Sequence, residues 1–375
     1  MPINFENQKL NGLDHLRSLA IVLVFLFHYF KYFPHPHWVE WFNMGWTGVD
    51  LFFVISGFLI SSQLFLQIKT SQTIYLRTFF IKRFFRIFPN YYFILAVYFV
   101  FPWAREKEAL APLWKYLTFT QNFDIDIVKR GTFSHAWSSC VEEHFYLCLP
   151  FLLFFLIKIK KMNHSYWIII VLFFLGLLIR GYLWNSHFLN YSLEDLPHYQ
   201  WYELIYYPTY NRLDGLLLGV GISAFYHFCP VSWNSISKFG NLWIGLGLII
   251  LFSAYFIFTD LFTKGSSVFI FPYISIGYGF LLIGAISPNS FLFNWQSKII
   301  SLLAMLSYGL YLSHKMIIHL AQELCSKSGI EKDGNIMLII SILFCCLTSL
   351  ILHWIIEKPF MSMRNRFLRL NKELF

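Results

Sequence analysis

The chain alternates between long apolar runs and short polar stretches. Ten runs of 17 to 22 residues carry most of its Phe, Leu, Ile and Val. A helix of about 20 apolar residues crosses the hydrocarbon core of a bilayer. The pattern therefore predicts an all-α integral membrane protein with about ten transmembrane helices. The predicted spans are 16–33, 46–66, 87–103, 137–157, 166–184, 212–228, 242–258, 267–286, 299–320 and 336–356.

The polar stretches assign a direction to these spans. Basic residues concentrate after spans two, four and ten, in stretches that lie on one side of any alternating ten-span arrangement. Cytoplasmic loops carry an excess of Lys and Arg, so this side and both termini are predicted to be cytoplasmic. The segment 104–136 on the opposite side has mixed charge, and it either lies on the outer surface or dips into the fold.

Composition narrows the class further. The chain is 57% hydrophobic and only 13% charged, with a net charge of +9. Too little polar sequence remains for a soluble catalytic domain, so we expect one transmembrane domain over 1–375 with a short basic tail at 361–375. The positive charge indicates anionic lipid as a partner rather than nucleic acid. The six cysteines form no CxxC motif, and no metal site is predicted.

Ionisable residues recur inside or at the ends of the predicted spans. Arg17 and His28 are eleven residues apart, which is within about 20° of three helical turns and roughly 16 Å along the axis. Charged groups are costly in a bilayer and usually mark function. Five spans direct such groups toward the outer half of the membrane, which predicts a polar cavity facing outward. The groups are His28, Asp50, Glu142, Glu143, Arg212, Asp214 and His314.

Several motifs together resemble one family of membrane proteins. The combination of GVDLFFVISGF and WSSCVEEHFY is specific, and the motifs follow one another in order from about residue 11 to residue 360. They are LDHLRSLAIVLVFLFH (13–28), GVDLFFVISGFLIS (48–61), KRFFRIFPNYY (82–92), WSSCVEEHFYLCLP (137–150), RLDGLLLG (212–219), LSYGLYLSH (306–314) and IEKPF (356–360). This set resembles the acyltransferase-3 family of integral membrane acyltransferases, in its stand-alone form without a C-terminal hydrolase-like domain.

The resemblance implies a catalytic base and a residue that orients it. Acyl transfer from a thioester to a hydroxyl needs a base near that hydroxyl, and the Arg–ten residues–His pattern of the family places this role on His28. The alternatives for the base are His144 and His314. Glu142 is the first candidate for the carboxylate that orients the imidazole, and Asp50 is the second. Alternatively, Glu142 joins two spans by pairing with Arg180 or Arg212.

The resemblance also implies a site for coenzyme A. Arg83 and Arg86 form the Arg-x-x-Arg pattern of the family, and a guanidinium matches phosphate oxygens in geometry and charge. Alternatively, these two arginines anchor the chain to lipid headgroups. Arg17 either meets the pantetheine or diphosphate of the cofactor or pairs with Asp14. The distance between Arg17 and His28 suits an extended pantetheine arm.

The remaining candidates are assigned to the acceptor. Trp137 is expected either to stack on a sugar ring or to belong to the aromatic belt at the membrane interface. The polar candidates are Arg212, Asp214, Glu143 and His314. Lys315 directly after His314 departs from the family pattern and leaves the role of that histidine open.

These observations predict a multi-pass O-acyltransferase of the inner (plasma) membrane. It would move an acyl group from cytoplasmic acyl-CoA to a hydroxyl of an envelope glycan or glycoside, and acetyl is the first candidate for that group. Acyl-CoA is then a co-substrate rather than a bound cofactor, and the oligomeric state stays open. The alternative is a transporter of a polysaccharide or lipid-linked sugar that uses the same intramembrane charges as gates.

Overall fold

A computed structural model describes residues 11–33, 40–162, 165–192 and 195–370 of the chain. The described residues form helices joined by loops and contain no β-strand. The predicted all-α membrane class is confirmed. Residues 371–375 of the predicted basic tail lie outside the described part.

Ten long helices overlap the ten apolar runs, although the third helix begins eleven residues before its run. They are α1 (Asn11–Tyr32), α2 (Gly48–Ser71), α3 (Leu76–Val100), α4 (Trp137–Lys158), α5 (Ser165–His187), α6 (Asp214–Phe228), α7 (Gly240–Ile257), α8 (Lys264–Ala285), α9 (Lys298–Ser326) and α10 (Asn335–Leu352). A π-helical turn (His353–Glu357) leads into an amphipathic helix α11 (Lys358–Leu370).

Short helical turns occupy much of the connecting sequence. They are Glu40–Thr47, Pro102–Ala104, Leu113–Leu117, Gln121–Phe123, Ser134–Ala136, His198–Trp201, Tyr202–Tyr206, Thr209–Asn211, Pro230–Ile236, Ser237–Phe239 and Phe291–Asn294.

Seven helical segments of the described chain are long and apolar enough to cross a membrane. They contain α1, α2, α4, α5, α7, α8 and α10. The other three long helices differ for visible reasons: α6 has 15 residues, whereas α3 and α9 carry several charged residues. The ten-span count and the cytoplasmic termini therefore stay predictions.

Contacts between helices show the relative directions that ten alternating spans require. Helices α1 and α9 run parallel, because Ser18 Oγ donates to the Ile300 carbonyl near one end and His28 meets His314 near the other. Helices α2 and α6 are also parallel. Neighbours in sequence run antiparallel, as Ser253 on α7 and Tyr273 on α8 show when they are compared with Trp243 and Phe280. We call the face where α1 begins the basic face.

Glycines bring two of these helices into backbone contact. A Cβ on Gly57 of α2 would lie 2.1 Å from the Leu216 carbonyl oxygen, and one on Gly219 of α6 would lie 2.3 Å from that of Val54. Small residues of this kind let membrane helices approach closely. This packing holds α2 and α6 directly against each other along their N-terminal halves.

Candidate active site

Polar and charged residues surround a large cavity near the basic face. This basic cavity has a volume of about 1000 Å³ and lies among α1, α2, α3, α4 and α9. Five cationic side chains line it against three carboxyl groups. The cationic residues are Arg17, Lys82, Arg83, Arg86 and Lys298, and the acidic residues are Asp14, Glu142 and Glu357.

A second cavity lies toward the opposite face and has a different character. This aromatic cavity has a volume of about 400 Å³. Rings from connecting segments and helix ends form much of its wall, among them Trp46, Trp137, Tyr202, Tyr206, Tyr207 and Phe258. The sequence predicted one outward polar cavity, whereas the structure distributes the titratable groups over two cavities and a set of buried ion pairs.

Helix α1 contributes to both cavities. Arg17 lines the basic cavity and His28 lines the aromatic cavity. Both residues belong to the continuous helix Asn11–Tyr32, so the predicted placement of the pair at two depths of one helix is confirmed. Arg17 also lies 4.0 Å from Asp14, which makes the predicted i, i+3 pair a loose one.

His28 and His314 form a hydrogen-bonded pair of imidazoles. His314 Nδ1 lies 2.8 Å from the Tyr311 carbonyl oxygen and 3.1 Å from that of Leu310, so this nitrogen carries the proton and Nε2 is the acceptor. His314 Nε2 lies 3.1 Å from His28 Nδ1, which also approaches the Val24 carbonyl oxygen at 2.9 Å. His28 Nδ1 is therefore the donor, and the basic lone pair is on His28 Nε2.

The two carboxylates expected to orient His28 lie elsewhere. Glu142 faces the basic cavity, where its Oε1 accepts a hydrogen bond of 2.5 Å from Ser56 Oγ. Asp50 accepts a hydrogen bond of 2.8 Å from Arg212. The geometry corrects both assignments, because His314 occupies the orienting position. It also corrects the alternative pairing of Glu142 with Arg180 or Arg212, since each arginine pairs with an aspartate.

Two buried ion pairs account for the polar start of α6. Arg180 binds Asp214 through two hydrogen bonds, of 2.8 and 3.0 Å, and Arg212 binds Asp50. None of these four side chains lines the basic or the aromatic cavity. The structure therefore does not support acceptor binding by Arg212 and Asp214, which instead join α6 to α5 and α2.

The Arg212 guanidinium packs against residues of the aromatic cavity wall without lining the cavity itself. The guanidinium lies 4.0 Å from the ring centre of Phe271, 4.5 Å from that of Tyr206 and 5.1 Å from that of Trp137. Cation–π contacts of this kind are strong where water is excluded. Tyr206 and Trp137 are cavity-wall residues, so the Arg212–Asp50 pair holds the wall rather than a ligand.

Lys315 is paired with the segment that precedes α4. Its ammonium lies 3.3 Å from Glu106 Oε1 and 3.5 Å from Ser134 Oγ. The same Glu106 oxygen accepts the Phe133 backbone N–H at 3.1 Å. Of the two placements predicted for segment 104–136, the structure thus shows the one that dips into the fold. Lys315 lines the aromatic cavity together with His28.

Of the other residues predicted to bind a ligand, three line one of the two cavities and one does not. Arg83 and Arg86 line the basic cavity, and Arg83 also donates to Gln63 at 3.3 Å and lies over the Tyr146 ring. Trp137 lines the aromatic cavity. Glu143 lines neither of these two cavities, as its angular separation from Glu142 on the helix suggests.

Several residues of the site were missed from the sequence. His135, Ser138 and Tyr311 lie between the cavities, with Ser138 one turn beyond His135 and His314 one turn beyond Tyr311. Those three-residue spacings were the available signal. Tyr202 was missed as well. Burial raises the pKa of Tyr202 to about 12, so its phenol stays neutral at physiological pH and receives a hydrogen bond from Lys31.

In the part of the chain that the structure describes, no group of three His, Cys, Asp or Glu side chains is arranged to hold a metal ion. In each of His28, His135 and His314 one ring nitrogen approaches a backbone carbonyl oxygen, at 2.9, 3.1 and 2.8 Å respectively.

A cationic cavity, a second cavity lined by an imidazole and one helix that reaches both are features that a membrane-embedded group-transfer protein requires. Comparison with known proteins identifies the family: a family model described as "Acyltransferase domain" matches residues 10–358. The chain belongs to this acyltransferase-3 family of integral membrane acyltransferases.

Two relatives illustrate the family. The chain is 29% identical to O-acetyltransferase OatA of Staphylococcus aureus over 343 residues, which is 84% of this chain and 51% of the relative. It is 28% identical to peptidoglycan O-acetyltransferase OatA of Listeria monocytogenes over 342 residues, which is 84% of this chain and 50% of the relative. The chain thus spans about half the length of these relatives. No solved structure matches the chain.

Proposed function

We propose that the protein is an O-acyltransferase of the plasma membrane that carries an acyl group from cytoplasmic acyl-CoA to a hydroxyl of a cell-envelope glycan. The observation that carries this proposal is the placement of Arg17 and His28. One helix presents a cation to the basic cavity and a base to the aromatic cavity, at opposite ends of a path of roughly 16 Å.

The basic cavity suits the donor. Its five cations exceed its three carboxyl groups, and arginines bind phosphate oxygens in a forked geometry. A volume of about 1000 Å³ is at the upper end of the range for small-molecule sites, as a nucleotide with a long arm requires. Acetyl is the acyl group that the names of the relatives suggest.

The aromatic cavity suits a sugar acceptor. Tyr and Trp rings offer flat apolar faces for a pyranose together with polar edges for its hydroxyls. The name of the Listeria relative suggests peptidoglycan as one such glycan. We assign Trp137 to stacking and Tyr202 to donation of a hydrogen bond, in place of Arg212 and Asp214.

The chemistry follows from the histidine pair. His28 Nε2 takes the proton of the acceptor hydroxyl while its oxygen attacks the thioester carbonyl, and His314 keeps the imidazole in the required tautomer. The Lys315 ammonium in the same cavity stabilises the oxyanion. The C–S bond then breaks, and the coenzyme A sulfur leaves and receives the proton. The products are the ester and free coenzyme A.

Analysis of envelope glycans with and without the gene tests this function against transport. Loss of base-labile acyl esters from a glycan that still reaches the surface supports acyl transfer. Loss of the glycan itself from the surface supports the transporter. Transfer of labelled acetate from acetyl-CoA to glycan fragments by the purified protein in liposomes would complete the test.

Replacing Arg83 and Arg86 by glutamine should weaken the dependence on acyl-CoA. Each arginine supplies charge-assisted hydrogen bonds, and loss of one is worth roughly tenfold in affinity. We expect KM for acyl-CoA to rise at least tenfold with little change in KM for the acceptor. Arg77→Gln on the same helix is the matched control, because Arg77 does not line the cavity. Equal effects of all three substitutions would favour a lipid anchor.

Single cysteines should report the two faces separately. After replacement of the six native cysteines, Thr70→Cys at the basic face should react with an impermeant maleimide only in inverted vesicles. Asn190→Cys beyond α5 should react only on intact cells. Both positions are exposed. Labelling of both from the same side would contradict the orientation on which the donor and acceptor assignments depend.

A further inference from the structure

Tyr311 is the point at which the two cavities meet. Of all residues that the structure describes, it alone lines both the basic cavity and the aromatic cavity. Helix α9 runs beside both, with Lys298, Ser301 and Tyr308 on the basic side of Tyr311 and Lys315 on the aromatic side.

The phenol of Tyr311 is fastened to the start of α4. It donates a hydrogen bond to the His135 carbonyl oxygen and accepts one of 2.6 Å from Ser138 Oγ. Its side chain is buried, with 6% of the residue exposed. Both partners belong to one short segment, so the contact spans from α9 to the turn before α4 and closes the gap between them.

The segment that contains His135 and Ser138 contributes to the walls of both cavities. Ser138 and Ser139 line the basic cavity, whereas His135 and Trp137 line the aromatic cavity. An acyl group held by a cofactor among Arg17, Arg83 and Arg86 therefore has Tyr311 and residues 135–138 between itself and His28. The thioester cannot meet the acceptor while this contact stays closed.

We propose that Tyr311 is a gate between the two cavities, and that release of its phenol from His135 and Ser138 opens the path of the acyl arm. That an acyl arm passes through this gate rests on the proposed function, whereas the barrier between the two cavities does not. The closed gate has a second effect: it keeps water of the aromatic cavity from the thioester. Attack by water would release the free carboxylic acid and coenzyme A thiol without forming an ester.

The conservative variant Tyr311→Phe tests the hydrogen-bonded closure. It keeps the ring and removes both hydrogen bonds, which shifts the open population by roughly tenfold. We expect the ratio of acyl-CoA hydrolysis to ester formation to rise by about that factor, with a smaller rise for Ser138→Ala. Tyr278→Phe is the matched control, because that buried phenol bonds Thr47 Oγ1 at 2.7 Å and lines neither cavity. An unchanged ratio in Tyr311→Phe would overturn the hydrogen-bonded closure.

Proton leakage tests the barrier without any acyl-CoA. Tyr311→Ala joins two cavities at opposite faces, so its proteoliposomes should lose a pH gradient at least tenfold faster than wild type. Tyr278→Ala removes the same ring elsewhere and should stay tight. The proposed gate would be contradicted if liposomes with Tyr311→Ala kept the pH gradient as well as wild type, or if both variants lost it equally fast. Leakage by Tyr311→Ala alone, with no acyl transfer by the wild-type protein, would keep the gate and overturn the proposed function.

Discussion

Replacement of His28 by alanine should lower acyl transfer by about 10²–10⁴-fold, the usual contribution of a general base. The imidazole base is lost from the aromatic cavity, and His314 Nε2 loses the His28 N–H from which it accepts a hydrogen bond. Turnover should be measured with labelled acetyl-CoA. The amount of folded protein should be measured from its elution profile in detergent.

His15→Ala is the matched control for this experiment. His15 lies on the same helix, and its Nδ1 approaches the Asn11 carbonyl oxygen at 2.7 Å, as His28 Nδ1 approaches that of Val24 at 2.9 Å. It lines neither the basic nor the aromatic cavity. We expect nearly normal turnover from His15→Ala. Normal turnover from a folded His28→Ala protein would remove His28 from the mechanism.

Replacement of Asp214 by leucine should destabilise the fold by about 3–5 kcal/mol, because it leaves the Arg180 charge buried without its carboxylate. The Arg180 side chain is fully buried and that of Asp214 is 4% exposed, so water cannot solvate the orphaned guanidinium. Unfolding by denaturant in detergent measures the loss.

Two further variants serve as comparisons for the stability of Asp214→Leu. The double variant Arg180→Met with Asp214→Leu removes both charges and should regain most of the stability. Glu323→Gln breaks an exposed pair with Lys332, which water and salt screen, and should leave the stability nearly unchanged. If Asp214→Leu were as stable as wild type yet failed to use the acceptor, the original assignment of Asp214 to acceptor binding would return.

The location of the helices was predictable, because the membrane imposes its length on each apolar run. The relation between Arg17 and His28 was also predictable, since both lie on one helix whose period is known. These predictions depend only on residues close together in sequence, and they succeeded for that reason.

The partners of the polar side chains were not predictable in the same way. His28 meets a residue 286 positions away, and Asp50 meets one 162 positions away. Which carboxylate reaches which cation depends on the choice of neighbouring helices, and an apolar run does not specify its neighbours. Assigning Glu142 and Asp50 to His28 therefore failed, although both residues do lie within long apolar helices.

The two cavities also differ in the kind of backbone that forms them. Long helices supply nearly the whole wall of the basic cavity, whereas segments 202–207 and 258–262 between helices supply much of the aromatic one. Loops accept insertions and substitutions that packed helices do not. Under the proposed assignment of acceptor and donor to these cavities, members of such a family can diversify what they modify by rebuilding the connections around the aromatic cavity, while the helices around the basic cavity stay unchanged.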